Sequence, residues 1–139
     1  MSKNKQTVEA LLDGIARRDT DAIARLIRED AVWWVPVSGA RMGIDRPLIG
    51  RDAVVRLLSG ISGFFRPDTT TWTVLGLFEE DHTVVAHVQR RCLTGSGNPY
   101  ENEYLLRFDF VEGSVATAWE HTDTAYAQET ILAESRSQS

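Results

Sequence analysis

From Tyr100 to Phe110, side chains suited to an interior alternate with charged ones. Tyr100, Asn102, Tyr104, Leu106, Phe108 and Phe110 hold one parity. Glu101, Glu103, Arg107 and Asp109 hold the other, with Leu105 the exception. Period-two alternation over this length predicts a strand with one face on a core and one in water. Glu112-Gly113 predicts a tight turn, because glycine accepts the positive φ that two-residue hairpins require. Val115 to Thr124, rich in β-branched and aromatic residues, predicts the return strand. Direct pairing sets Phe110 against Val115, Phe108 against Thr117, Leu106 against Trp119, Tyr104 against His121 and Asn102 against Asp123. Trp119, His121 and Asp123 then share the apolar face, and Glu120 lies on the other. One bulge in the return strand reverses this from the bulge onward and turns Glu120 inward. The sequence leaves both registers open.

Earlier in the chain the apolar period is close to 3.6. Val8, Leu11, Leu12 and Ile15 predict a helix from Lys5 to Arg17. Asp19 or Thr20 caps a second helix, with Ile23, Leu26 and Ile27 on one face and Asp30 at its end. Ala31 to Val37 (AVWWVPV) predicts a strand, with Pro36 marking an edge or a bend. Trp33 and Trp34 are neighbours and must face opposite ways; Trp34, in phase with Val32 and Pro36, is expected to enter the interior. Ser38 to Ile49 predicts a loop whose Met42, Ile44 and Leu48 could form a lid. Gly50-Arg51-Asp52 starts a third helix with Val54, Val55, Leu58 and Ile61 as its stripe. Strands from Thr69 to Glu79 and from His82 to Leu93 then precede the Tyr100 strand. Helix, helix, strand, helix and four strands in meander predict an α+β fold, with three N-terminal helices on one face of a curved antiparallel sheet.

Length and composition narrow the function. The 139 residues suit one domain with its own core, expected over about 7–127, with 128–139 as a tail whose last residues, 134–139, fray. A net charge of −5 and the lack of any long basic run argue against a nucleic acid partner. No apolar stretch reaches the roughly 20 residues needed to span a bilayer. The N-terminal MSKNKQTVEALL lacks the apolar run of a secretion signal. A single cysteine, Cys92, forms no internal disulfide and is expected to be a buried structural thiol. Together these predict a cytoplasmic protein. The three histidines and scattered carboxylates show no metal-ligand spacing, no glycine-rich phosphate loop precedes a helix, and no GxSxG elbow occurs, so no metal or cofactor is expected.

The order of elements and the strings LIGRDAVVRLL, YENEYLLRFDFVEGSV and WEHTDTAYA resemble the SnoaL-like and ketosteroid-isomerase-related families of the nuclear transport factor 2-like superfamily. The resemblance runs from about Thr7 to Ala127. It implies a cone-shaped sheet of the cystatin-like roll type, an apolar cavity with one mouth, and often a homodimer through the outer sheet face. This fold hosts isomerases, epoxide hydrolases, polyketide cyclases, dehydratases and non-catalytic modules.

The familiar steroid isomerase set is missing. Its carboxylate before the proline is matched by Val35, its neutral acid by Leu106, and no tyrosine precedes Tyr100. Limonene-type epoxide hydrolases are matched at their last-strand acid by Glu120. Their Arg-x-Asp strand corresponds here to one with His87, Gln89 and Arg91 and no carboxylate. SnoaL-like cyclases need little beyond one acid/base in an apolar cone, and the resemblance turns Glu120 inward. The candidate acid/base groups are therefore Glu120, or His121 and Asp123 from the direct register. Trp34, His87, Asn102, Tyr104 and Trp119 are the candidate ligand contacts, and aromatic walls suit a flat apolar ligand. Two functions follow as expectations. One is a cofactor-free isomerase, cyclase, dehydratase or hydrolase acting on a polyketide- or terpenoid-like molecule. The other is a non-catalytic ligand-binding or dimerisation module.

Overall fold

A computed structural model describes residues 1–134. Helix α1 spans Lys3–Arg17 and buries Val8, Leu11, Leu12 and Ile15, the stripe its periodicity predicts. Ser2 caps its N-terminus by accepting from the Lys5 backbone N–H at 3.1 Å. Arg18 closes it in the left-handed conformation (φ 52°), donating its backbone N–H to Gly14 and Ile15 carbonyls. Asp19 then accepts from the Ala22 N–H and caps α2, Thr20–Ala24.

The second helix is shorter than expected, and the chain is already extended by Ile27. Strand β1 is Ile27–Trp34. Leu26 and Ile27 fit either helical or strand phase, and pairing with the C-terminal hairpin decides the matter, Val115 donating its N–H to the Leu26 carbonyl. The expected loop contains a short helix, α3 (Ser38–Arg41), and a two-residue strand, β2 (Leu48–Ile49). Helix α4, Arg51–Leu58, buries Val54 and follows Gly50, whose φ of 94° suits glycine. The meander is β3 Thr71–Glu80, β4 Thr83–Leu93, β5 Pro99–Val111 and β6 Ser114–Thr122.

The six strands form one curved, unclosed sheet in the order β2-β1-β6-β5-β4-β3. It is mixed rather than antiparallel, because β1 lies parallel to β6, Trp33 beside Ala118. Helix α1 packs on β3 and β4, and α4 on β1. Between them lie Leu11, Ile23, Trp33, Val84, Val88 and Phe108, all fully buried or nearly so. Each such side chain contributes about 1.5–3 kcal/mol of burial. Cys92 is buried as expected, and burial pushes its thiol pKa up.

The expected tail is in part a fifth helix, α5, Thr124–Leu132, capped by Asp123. Its Tyr126, Ala127 and Ile131 pack against the core. The predicted fraying at the end of the chain falls on residues 135–139 and, apart from Glu134, lies outside the described residues. Among the described residues no helix is long and apolar enough to cross a membrane.

Candidate functional site

The β5–β6 register decides which polar groups enter the interior. Phe110 opposes Val115 as direct pairing predicts, but Asp109 opposes Thr117, so Ala116 is an extra residue in β6. From there the phase reverses. Ala118 faces Phe108, Glu120 faces Leu106 and Thr122 faces Tyr104. Glu120 is thus inward, and the direct register that brought Trp119, His121 and Asp123 inside is corrected.

Glu120 forms part of the wall of a partly enclosed cavity of about 140 Å³. That is several times the roughly 10–15 Å³ a cavity needs to admit one water, so there is room for a small molecule. The lining is mostly apolar: Ile15, Trp33, Val35, Met42, Ile44, Leu57, Leu58, Phe64, Phe65, Trp72 and Leu106. Met42 and Ile44 come from the loop after β1, where the sequence places a lid. Ala127 and Ile131 of α5 also contribute. The polar groups are few: Arg18, Arg90, Tyr100, Tyr104, Glu120 and a handful of smaller side chains.

Glu120 is held by its neighbour on β1. The Trp33 indole N–H donates to Glu120 Oε1 at 2.9 Å. The residue keeps some accessible area, as a cavity wall does, yet the protein around the carboxyl desolvates it. That burial raises its pKa; the Trp33 hydrogen bond and the positive charge of Arg90 pull the other way without cancelling the effect.

Two tyrosines two turns of the alternation apart form the second polar element. Tyr100 Oη and Tyr104 Oη are 2.6 Å apart. Asn102 Nδ2 donates to Tyr100 Oη at 3.0 Å and to the Asp123 carbonyl at 3.1 Å. Burial raises both phenol pKa values, that of Tyr104 strongly, so both hydroxyls keep their protons at neutral pH. Either phenol can donate to the other; where Tyr100 donates to Tyr104, the Tyr104 proton is free to point into the cavity.

Arg90 is the third element. Its guanidinium donates to Thr70 Oγ1 from Nε at 3.3 Å and from Nη2 at 3.0 Å. It lies 4.0 Å over the Phe65 ring and 5.1 Å from that of Trp72. Arg18 reaches the same place from the end of α1, its Nη2 donating to the Phe65 carbonyl. The Trp72 indole N–H is buried without an acceptor among the described residues.

Several sequence candidates stand elsewhere. Trp119 is on the outer face, under the Arg107 guanidinium at 4.7 Å. His121 opposes Leu105 on that same face and is exposed. Asp123 caps α5, accepting from the Tyr126 N–H at 3.0 Å. His87 alternates with buried Ala86 and Val88, so it points outward, where Nε2 meets Glu103 Oε1 at 2.9 Å. Trp34 is also outside the cavity and stacks with Arg46 at 5.2 Å. The buried phase of β1 is Ala31, Trp33 and Val35, which brings Trp33 inside instead. Asn102 is buried but stands behind Tyr100 rather than in the cavity wall. His87, His121 and Asp123 instead line an open groove of about 640 Å³, which Asn102 and Tyr104 also border.

Of the expected set, Glu120 and Tyr104 meet in the cavity. Trp33, Trp72, Tyr100, Arg90 and Arg18 were not among the sequence candidates. Parity could have found two of them: Tyr100 is in phase with Tyr104, and Arg90 with Val84, Ala86 and Val88. Among the described residues no three or more His, Cys, Asp or Glu side chains come together as a metal site would require.

A family profile described as SnoaL-like domain matches residues 8–118. No curated protein matches by sequence. Among solved structures, an NTF2-like protein of unknown function from Burkholderia pseudomallei is similar at a TM-score of 0.85 and 22% identity, over 96% of this chain and 100% of that one. TerC, crystallised with polyporic acid, gives 0.82 and 18%, over 95% of this chain and 100% of that one. A protein from Jannaschia sp. CCS1 described as a SnoaL-like polyketide cyclase gives 0.77 and 16%, over 94% and 92%. At these identities the likeness is one of fold.

Proposed function

The chain belongs to the SnoaL-like domain family, and from that premise we propose that it binds a small, largely apolar molecule in the cavity and performs cofactor-free acid/base chemistry on it. The observation that carries this reading is the Glu120 carboxyl. Among the described residues it is the only carboxyl in the cavity lining, burial raises its pKa, and its orientation is fixed by Trp33. A carboxyl whose pKa is raised by burial holds a proton more readily, which suits it to take up and return one.

In this mechanism Glu120 removes a proton from a carbon or hydroxyl of the bound molecule and returns it at another atom. Negative charge developing on a ligand oxygen is met by the Tyr104 hydroxyl, which the Tyr100–Asn102 chain polarises. The apolar walls exclude water. Such a set suits isomerisation, cyclisation or dehydration of a polyketide-like compound. TerC was co-crystallised with polyporic acid, a starting member for a screen.

The test is turnover of a library of cyclic and polyketide-like ketones by the wild-type protein and by Glu120→Gln. Loss of about 10²–10⁴ in rate is the effect of removing a general acid/base. Equal turnover by both proteins would discard Glu120 as the proton carrier.

A non-catalytic binding module is the second reading. It is favoured by Val35 and Leu106, which line the cavity where steroid isomerases are expected to hold carboxyls. Binding of library members without turnover by the wild type would select it. We also propose a homodimer through the outer sheet face, where Phe78, Leu75 and Leu105 are exposed. Sedimentation analysis giving only a monomer at micromolar concentration would remove that proposal.

A further inference from the structure

We propose that the ligand is a flat conjugated acid, whose anionic oxygen is received by Arg90 and Arg18. This names the ligand class for the small-molecule site above and rests on it. The support is a charge inventory of the cavity wall. Among the described residues the lining holds two guanidiniums and one carboxyl. Neither Arg18 nor Arg90 forms an ion pair with any carboxylate among the described residues, so neither guanidinium is already matched by a carboxylate at salt-bridge distance. Glu120 spends one carboxylate oxygen on Trp33 and makes no ion pair. The wall therefore carries net positive charge whether Glu120 is ionised or not.

Both guanidiniums also touch one residue, Phe65. Arg18 donates to the Phe65 carbonyl, while Arg90 lies over the Phe65 ring at 4.0 Å. Arg90 uses Nε and Nη2 on one threonine hydroxyl. A guanidinium offers five N–H donors, so its fork is not exhausted. Glu120, which feels the charge of Arg90, offsets at most one of the two cations, and an entering anion neutralises the charge that is left. Arg90 meanwhile stacks on Phe65 and Trp72. Rings and cation thus frame a slot in which a planar conjugated body finds aromatic neighbours and its acid group finds arginine. The Trp72 N–H, which lacks an acceptor, belongs to the same wall.

The experiment compares two probes of one shape, cinnamate and cinnamamide, by quenching of Trp33 and Trp72 fluorescence. Charge-assisted hydrogen bonds predict that wild-type protein binds the carboxylate about tenfold or more tighter than the amide. Arg90→Gln should bring the ratio of carboxylate to amide affinity to about one, and Arg90→Lys, which keeps the charge, should retain part of the preference. A thermal melt of each variant confirms that it folds. Amide binding equal to carboxylate binding in the wild type overturns the inference and leaves the small-molecule site standing. Equal loss of both probes in a folded Arg90→Gln also overturns it, since Arg90 is then a packing clamp. If neither probe binds the wild type while neutral ketones do, the anion assignment falls alone. If nothing binds, the site itself falls with it.

Discussion

Trp33 Nε1 lies 2.9 Å from Glu120 Oε1, joining two strands that run parallel. The bond favours the ionised carboxyl and so works against the burial that raises its pKa. Trp33→Phe keeps an aromatic ring and removes the donor. The Glu120 pKa should then rise further. Carbon-13 NMR of labelled glutamate across a pH series reads this directly, and an unchanged or lower midpoint would show that the indole does not stabilise the charge.

Glu120 also makes stability depend on pH. Its folded pKa is above the unfolded value, so the folded state binds the proton more tightly. Its favourable contribution is complete below the ordinary glutamate pKa and is lost as pH rises through the raised one. Glu120→Gln, which can still accept from Trp33, lacks this loss. The variant should therefore gain in Tm relative to wild type as pH rises from acid toward neutral, with the gap closing again in acid. A gap that stays constant with pH contradicts the burial of a titrating carboxyl.

The outer-face histidines should be dispensable for chemistry. His121→Ala changes an exposed side chain and should shift stability by no more than about 0.5 kcal/mol. His87→Ala removes a half-exposed pair with Glu103, worth about 0–1 kcal/mol. Turnover or ligand affinity should be that of the wild type in both. A loss of tenfold or more in either, expressed as about 1.4 kcal/mol, would return the acid/base role to the outer groove.

Asp123 acts on the cavity through a helix. Asp123→Ala removes the α5 cap and should cost about 0.5–2 kcal/mol of stability. Because Ala127 and Ile131 of that helix line the cavity, amide exchange should quicken over Thr124–Leu132 and ligand affinity should weaken, with Glu120 titrating as before. Unchanged exchange in α5 would show that the cap holds nothing.

Much of the fold was legible because amphipathic period is a local property. The α1 stripe, the Tyr100–Phe110 alternation and the four-strand meander each announce themselves within a dozen residues. The site was harder because it depends on phase between distant segments. Ala116 has nothing in its own chemistry to mark it as the extra residue of a bulge, yet it alone turns Glu120 in and His121 out. The choice between Trp33 and Trp34 rested on Val32 and Pro36, while the pairing of β1 with β6 put Ala31 and Val35 in the buried phase. Helix α5 was hidden for a different reason: its apolar pattern is weak, and its start is set by the Asp123 cap. Arg90 was passed over because charge suggested surface, although its parity matched Val84, Ala86 and Val88.

The parallel seam between β1 and β6 also has a temporal meaning. Trp33 and Glu120 are 87 residues apart. At a synthesis rate of roughly 5–20 residues per second, about 4–17 seconds separate their appearance on the ribosome. During that interval the Trp33 strand has no β6 to lie beside, and no partial chain ending before β6 possesses the Trp33–Glu120 bond. That bond is therefore acquired late in synthesis, when β6 closes against β1.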